Sequence, residues 1–278
     1  MDTIRLGRTG LVVSKNGFGA LPVQRVTKED AVHLLRRAYE GGINYFDTAR
    51  VYSDSEEKLG LALSDVRENI VISTKTASTT AEGFWADLNE SLRLLKTDYI
   101  DIYQFHNPAF CPRPGDASGL YDAALEAKAK GLIRHIGITN HRLAVAEEAV
   151  RSGLYETLQF PFSYLASEKE IALVRLCEEQ DMGFICMKAL AGGLITRSDV
   201  AYAFLLPWLP IIGGETLDDG GATHAALLHE GKELHAESVV SLLQAGVEYT
   251  RLITLGKFCQ IAFLTYLVTQ RIGFYVLG

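Results

Sequence analysis

The feature that most restricts the fold of this chain is a set of strand-like runs, each closing on a polar side chain, that recur about one strand and one helix apart. The run Ile43-Asn-Tyr-Phe-Asp-Thr-Ala-Arg-Val-Tyr begins apolar, β-branched and aromatic, as strands do, and then delivers the acid Asp47 and the phenol Tyr52. Val71-Ile-Ser-Thr-Lys-Thr closes on Lys75, and Tyr99-Ile-Asp-Ile-Tyr-Gln-Phe-His closes on His106. Asp47 and Lys75 lie 28 residues apart, Lys75 and His106 31 residues apart, which is the room a strand, a helix and two loops occupy.

The same alternation continues through the chain. Short apolar pieces at 4–6 and 12–14 flank Gly-Arg-Thr-Gly and predict a hairpin at the entrance. A first buried strand is expected at 17–21. Thr27 caps a helix over 28–39 that Gly41 and Gly42 end. Further strands are expected at 43–46, 70–73, 99–105, 133–138, 157–160 and 184–187. Helices are expected at 55–63, 84–95, 120–130, 142–151 and 169–180, the last with a capping box from Ser167 and Glu170. An eighth strand fits at 207–214. Strands separated by helices pair in parallel, and this many units close into a (β/α)8 TIM barrel rather than an open sheet. The barrel is expected over 1–219, with an atypical eighth unit, and 220–278 forms a divergent C-terminal segment. Loops that follow the strands of such a barrel share one face, so Asp47, Tyr52, Lys75 and His106 are expected to meet there.

Length and charge narrow the function. At 278 residues the chain suits either one barrel of roughly 250 residues or two ordinary domains, and its net charge of -7 argues mildly against a nucleic-acid partner. The four cysteines, Cys111, Cys177, Cys186 and Cys259, lack Cys-x-x-Cys spacing, and the start Met-Asp-Thr-Ile-Arg is polar; reduced thiols and a cytoplasmic location are expected. The apolar stretch 261–268, flanked by Lys257, Gln270 and Arg271, is too short to cross a bilayer, so no membrane partner is expected. Cys177 and Cys186 should pack as small apolar residues, while Cys111, in the Pro-rich loop 108–114, is a candidate for exposure without an adjacent base.

A phenol with an ordinary pKa near 10 is a weak acid at neutral pH, but an ammonium beside it stabilises the phenolate. Lys75 would supply that ammonium to Tyr52, Asp47 would hold Lys75, and His106 could donate a hydrogen bond to the same acceptor. A carbonyl oxygen is the natural guest: Tyr52 gives it a proton while a hydride reaches the carbon. The hydride must come from a nicotinamide or another donor. Two other readings remain: a nucleotide-binding regulatory or scaffold protein with little turnover, and a metal-dependent hydrolase using His106 and Asp47, for which no His-x-His ligand pattern is present.

The order Asp-x4-Tyr, Lys, His at successive strand ends, with Ser-Leu-Arg-Leu-Leu-Lys-Thr-Asp-Tyr-Ile-Asp before the histidine, resembles the aldo-keto reductases. The resemblance runs from about Ile4 to Gly193 and thins towards Asp219. It implies Tyr52 as general acid/base, tuned by Asp47 and Lys75, with His106 orienting a small carbonyl or alcohol substrate. It implies NADP(H) as cofactor, with NAD(H) possible, and no iron-sulfur cluster, because Leu-Gly-Lys-Phe-Cys at 255–259 carries only one of the thiols a cluster needs. Thr139, Asn140 and Gln159 are then the residues that hold the nicotinamide carboxamide, although the first two could equally cap the next helix and Gln159 could be a polar strand end. Met187 falls where an aromatic often stacks on the ring, and Gly19, Ala20, Asp47, Leu190 and Gly213 complete the cofactor-binding set. In one respect the chain departs from the family: Glu-Thr-Leu-Asp-Asp at 215–219 offers acids where a cation usually grips the adenosine phosphate.

Overall fold

The computed structural model describes residues 2–191 together with 194, 195, 205, 215 and 216. The segment 220–278, the expected strand at 207–214, Gly213 and Cys259 lie outside them. The chain opens with β1 (Thr3–Arg5) and β2 (Val12–Ser14), an antiparallel pair. The Gly-Arg-Thr-Gly joint between them holds a short 3-10 turn at Gly7–Thr9.

Eight parallel strands follow: β3 (Asn16–Gly19), β4 (Tyr45–Asp47), β5 (Val71–Thr76), β6 (Ile100–His106), β7 (Ile133–Thr139), β8 (Thr157–Pro161), β9 (Gly183–Met187) and β10 (Glu215–Thr216). Each pairs with the next, and β10 pairs with β3 on one side and β9 on the other, so the barrel is closed. Of the eighth strand, the described residues are Glu215 and Thr216, just past the expected 207–214, which lies outside them. The first strand is shorter than expected. Ala20 donates its N–H to the Asp47 carbonyl (2.7 Å) and Pro22 starts a 3-10 turn over Leu21–Arg25, which takes Leu21 out of the strand.

Helices α1 (Lys28–Glu40), α2 (Ser55–Leu63), α3 (Ala81–Leu95), α4 (Leu120–Ala129), α5 (Leu143–Ser152) and α6 (Glu168–Glu179) alternate with the strands. Their starts follow the local chemistry. Thr27 accepts the Asp30 N–H at the head of α1, and Ser167 and Glu170 form the capping box of α6. Helix α3 buries Phe84 edge-on against Tyr103 of β6, with ring centres 5.2 Å apart. Removing such a side chain from water is worth about 1.5–3 kcal/mol.

The hairpin decides which end of the barrel is available. Leu6 and Val13 are buried in one cluster with Tyr45, Val71, Ile102 and Ile185, from β4, β5, β6 and β9. The approach is close: a Cβ on Gly183 would lie 2.7 Å from Leu6 Cγ. Hydrocarbon thus stoppers the end where the strands begin, and polar chemistry is left to the end where they finish.

Asp101, near the start of β6, fastens this lower half. Its carboxylate accepts from Arg67 (2.6 Å), from Arg134 (2.9 Å) and from the Ile72 N–H (2.9 Å), and both guanidinium groups lie over the Tyr99 ring. Arg67 and Asp101 are both buried. Removing one partner of a buried pair strands the other charge, so Asp101→Leu should cost about 3 kcal/mol. A urea titration followed by far-ultraviolet circular dichroism should show the midpoint fall with little change in slope.

Candidate active site

The loop after β4 carries Tyr52 and is fastened to β5. The Thr48 N–H donates to the Ser73 carbonyl (2.8 Å) and the Arg50 N–H to the Lys75 carbonyl (3.0 Å), so the backbone that presents Tyr52 is laced to the strand that presents Lys75. Tyr52 then donates its N–H to the Ala49 carbonyl (3.0 Å), and Ser55 returns its N–H to the Tyr52 carbonyl (2.8 Å) as α2 begins. The Ser55 hydroxyl reaches the Ala20 carbonyl and the Thr48 hydroxyl, both at 2.8 Å.

Lys75 and Asp47 are fully buried. The ammonium donates to Asp47 Oδ2 (2.5 Å) and to the Thr48 carbonyl (2.7 Å), and it lies 5.4 Å from the centre of the Tyr52 ring. His106, the last residue of β6, meets Tyr52 edge to face with ring centres 5.7 Å apart. Four residues spread over sixty positions of sequence therefore surround one point at the strand ends. Burial, then the positive charge of Lys75 and the presence of His141, push the His106 pKa down to about 3. The imidazole is neutral at ordinary pH. Its Nδ1 is buried and has no hydrogen-bond partner among the described residues.

The described members of the expected cofactor set lie on β3, β4, β7, β8 and β9 or just past their ends. Thr139 is paired in register with His106 on one side and Gln159 on the other. Asn140 donates to the Pro108 carbonyl (2.9 Å) and accepts the Arg142 N–H (2.8 Å). That is a turn rather than a helix cap, because Arg142 occupies the cap of α5 and has no side-chain cap bond. Gln159 is wholly buried and donates to Asp47 Oδ2 (3.3 Å). Met187 ends β9, buried, with its carbonyl taken by the Phe162 N–H (3.0 Å). Ala20 and Leu190 are buried, and Gly19 is paired with Asp47 across β3 and β4. Cys111 corrects an expectation: it is buried, not exposed. Its thiol points to the Tyr155 hydroxyl (3.8 Å), and burial raises its pKa.

Two groups escaped the sequence reading. Gln104 of β6 is wholly buried between Asp47, Ser73 and Gln159. Glu56 of α2, also buried, accepts from Arg50, Thr74 and Ser91 behind the Tyr52 loop. A signal existed for the first: Gln104 and His106 are two apart on one strand, as Ser73 and Lys75 are, and so share a face. Among the described residues, no three His, Cys, Asp or Glu side chains gather as metal ligands would, and no helix is long and apolar enough to cross a membrane.

Comparison with known proteins gives the family and the fold. The model of the aldo/keto reductase family matches residues 15–203. An uncharacterised oxidoreductase of Bacillus subtilis is 31% identical over 213 residues, covering 72% of this chain and 68% of its own. The L-galactose dehydrogenase of Arabidopsis thaliana is 31% identical over 211 residues, covering 69% and 66%. The chain thus spans about two thirds of the length of these relatives. A proposed aldo-keto reductase from Pseudomonas aeruginosa superposes with a TM-score of 0.70 at 25% identity, over 81% of this chain and 91% of that one. An aldo-keto reductase of Bacillus halodurans, at 22% identity and a TM-score of 0.67, shares the fold.

The buried imidazole makes a pH prediction. His106 binds its proton less readily in the folded state, at about 3, than in the unfolded chain, near 6.5. Its contribution to stability is complete above about 6.5 and is lost as pH falls towards about 3. The parent should therefore lose stability relative to His106→Gln across that window. In a nuclear magnetic resonance titration the His106 ring signals should stay at their neutral positions until pH approaches the lower value.

Proposed function

The chain belongs to the aldo/keto reductase family, and we propose that it moves a hydride between NADP(H) and the carbonyl carbon of a small aldehyde or ketone, with Tyr52 as general acid/base. The observation that carries this reading is the position of the Lys75 ammonium, held by Asp47 at 2.5 Å and lying 5.4 Å from the Tyr52 ring while His106 closes the other side.

The surroundings suit a nicotinamide. His106 Nδ1 lacks a protein partner among the described residues, and the adjacent strand ends bring Thr139 and Asn140, which are neutral and able both to donate and to accept. In this reading Thr139, Asn140 and Gln159 hold the carboxamide, while Gly19, Ala20, Met187, Leu190 and Gly213 line the dinucleotide. A bound nicotinamide supplies or takes up the hydride.

The rest belongs to the chain's own groups. In the reducing direction the Tyr52 hydroxyl gives its proton to the carbonyl oxygen, which becomes the alcohol oxygen. Lys75 stabilises the phenolate left behind, and Asp47 keeps the ammonium charged and in place. His106, being neutral, donates a hydrogen bond to the carbonyl oxygen without competing as its proton source. Oxidation of an alcohol reverses each transfer.

Purified protein mixed with NADPH and a panel of small aldehydes should consume the cofactor, followed by loss of absorbance, and NADH run in parallel gives the cofactor preference. Tyr52→Phe keeps the ring and removes the proton, and should lower kcat by about 10² to 10⁴. Cofactor binding without turnover in the parent would replace this reading with a regulatory one, and a Tyr52→Phe variant as fast as the parent would remove Tyr52 from its role.

A further inference from the structure

Asp47 is held by more than Lys75. Its Oδ2 also accepts from Gln159 Nε2 (3.3 Å), and its Oδ1 accepts from Gln104 Nε2 (3.4 Å). The same nitrogen lies within hydrogen-bonding reach of the Ser73 hydroxyl (2.7 Å) and Gln159 Oε1 (3.2 Å), so its two protons are shared among acceptors on three strands around the carboxylate. The orientation of that amide follows from chemistry. Turned over, its oxygen would face a carboxylate oxygen and a second amide oxygen at the same distances, with no proton between them. The opposite atom, Gln104 Oε1, is buried without a hydrogen-bond partner among the described residues. A buried polar atom left in that state needs an explanation, and the three acceptors that hold the nitrogen on the other side provide one.

The barrel also makes room for this side chain. Gly137 is the neighbour of Gln104 across β6 and β7, and a Cβ there would lie 2.9 Å from Gln104 Cγ and 2.3 Å from Thr157 Oγ1. A residue with any side chain at 137 would push the amide from its place.

We propose that Gln104 is a positioning residue for the reaction. By donating to Asp47 Oδ1 it disperses the carboxylate charge and fixes Oδ2 as the oxygen that meets Lys75, leaving the ammonium free to act on Tyr52. This rests on the reading of Tyr52 as general acid/base. Without the amide, Asp47 draws Lys75 more strongly, the Tyr52 phenolate is less stabilised, and the phenol titrates at higher pH.

The test compares the parent with Gln104→Met, which keeps volume and loses the amide, and with Gln104→Glu, which keeps shape and puts a second carboxylate beside Asp47. The first readout needs no turnover: ultraviolet titration of the tyrosines in each protein, with the Tyr52→Phe spectrum in the same background subtracted. The Tyr52 transition should move up by about half a pH unit or more in Gln104→Met, and further in Gln104→Glu. The second readout is kinetic: kcat should fall about tenfold in Gln104→Met with KM values nearly unchanged, and the alkaline limb of the rate profile should move with the phenol. Tyr52 titrating as in the parent in whichever variants fold would overturn the inference, whatever happens to turnover or melting temperature. A parent that titrates as described but turns nothing over would instead count against the proposed function.

Discussion

A lysine and an aspartate sealed inside a barrel are the constraint on which the rest of this structure depends. Taking two charges out of water costs several kcal/mol each, and their attraction offsets this only when the geometry is good and the remaining donors and acceptors are satisfied. Asp47 meets that condition through Lys75, Gln104 and Gln159, and Lys75 meets it through Asp47 and the Thr48 carbonyl. Four strands and one loop therefore have to agree on one arrangement, because these groups come from β4, from its following loop, and from β5, β6 and β8. Tyr52 and His106 add rings above the pair and share its placement.

The two ends of the barrel divide the work. At the closed end the hairpin supplies Leu6 and Val13, and Asp101 binds two arginines flanking the Tyr99 ring. Those contacts create stability and leave no room for a guest. Near the site, His106 Nδ1 and Gln104 Oε1 are buried without hydrogen-bond partners among the described residues. Each such group costs about 1–3 kcal/mol in a folded protein, an expense a purely structural interior would avoid by using hydrocarbon. Proteins break local packing rules at sites where they do chemistry, and these two breaks lie beside Tyr52 and Asp47, although Thr157 Oγ1 at the start of β8 is a further such atom.

Much of this was legible in the sequence because the signals were periodic. Helix α2 begins and ends where its apolar spacing predicts, and the capping box of α6 is formed by the two residues that spell it. Asp47, Lys75 and His106 could be placed together because a parallel barrel leaves one choice of face for strand ends. What stayed hidden was decided by neighbours distant in sequence. Glu215 and Thr216 are too short a pair to announce a strand and become β10 through Asn16, Gly17 and Met187. Cys111 looks exposed in a Pro-rich loop, yet it is buried, with Tyr155 donating to the Pro112 carbonyl (2.5 Å) beside it. Gln159 reads as a polar strand end, and only the fold shows its amide bonded to Asp47.

That bond ties Gln159 to the acid that holds Lys75. Gln159 touches Asp47 with one amide atom and Gln104 with the other, and in the proposed reading the same amide meets the nicotinamide carboxamide. Any displacement of Gln159 towards a bound cofactor weakens a contact on Asp47 Oδ2, the oxygen that also accepts from Lys75. Asp47 then leans more fully on Lys75 and Gln104, and the balance of charge beneath Tyr52 changes at the moment the hydride source arrives. In the proposed reading, cofactor binding and the acidity of the phenol would then be coupled through a single glutamine, and by the reciprocity of linkage the ionisation of Tyr52 would in turn alter the affinity for the cofactor.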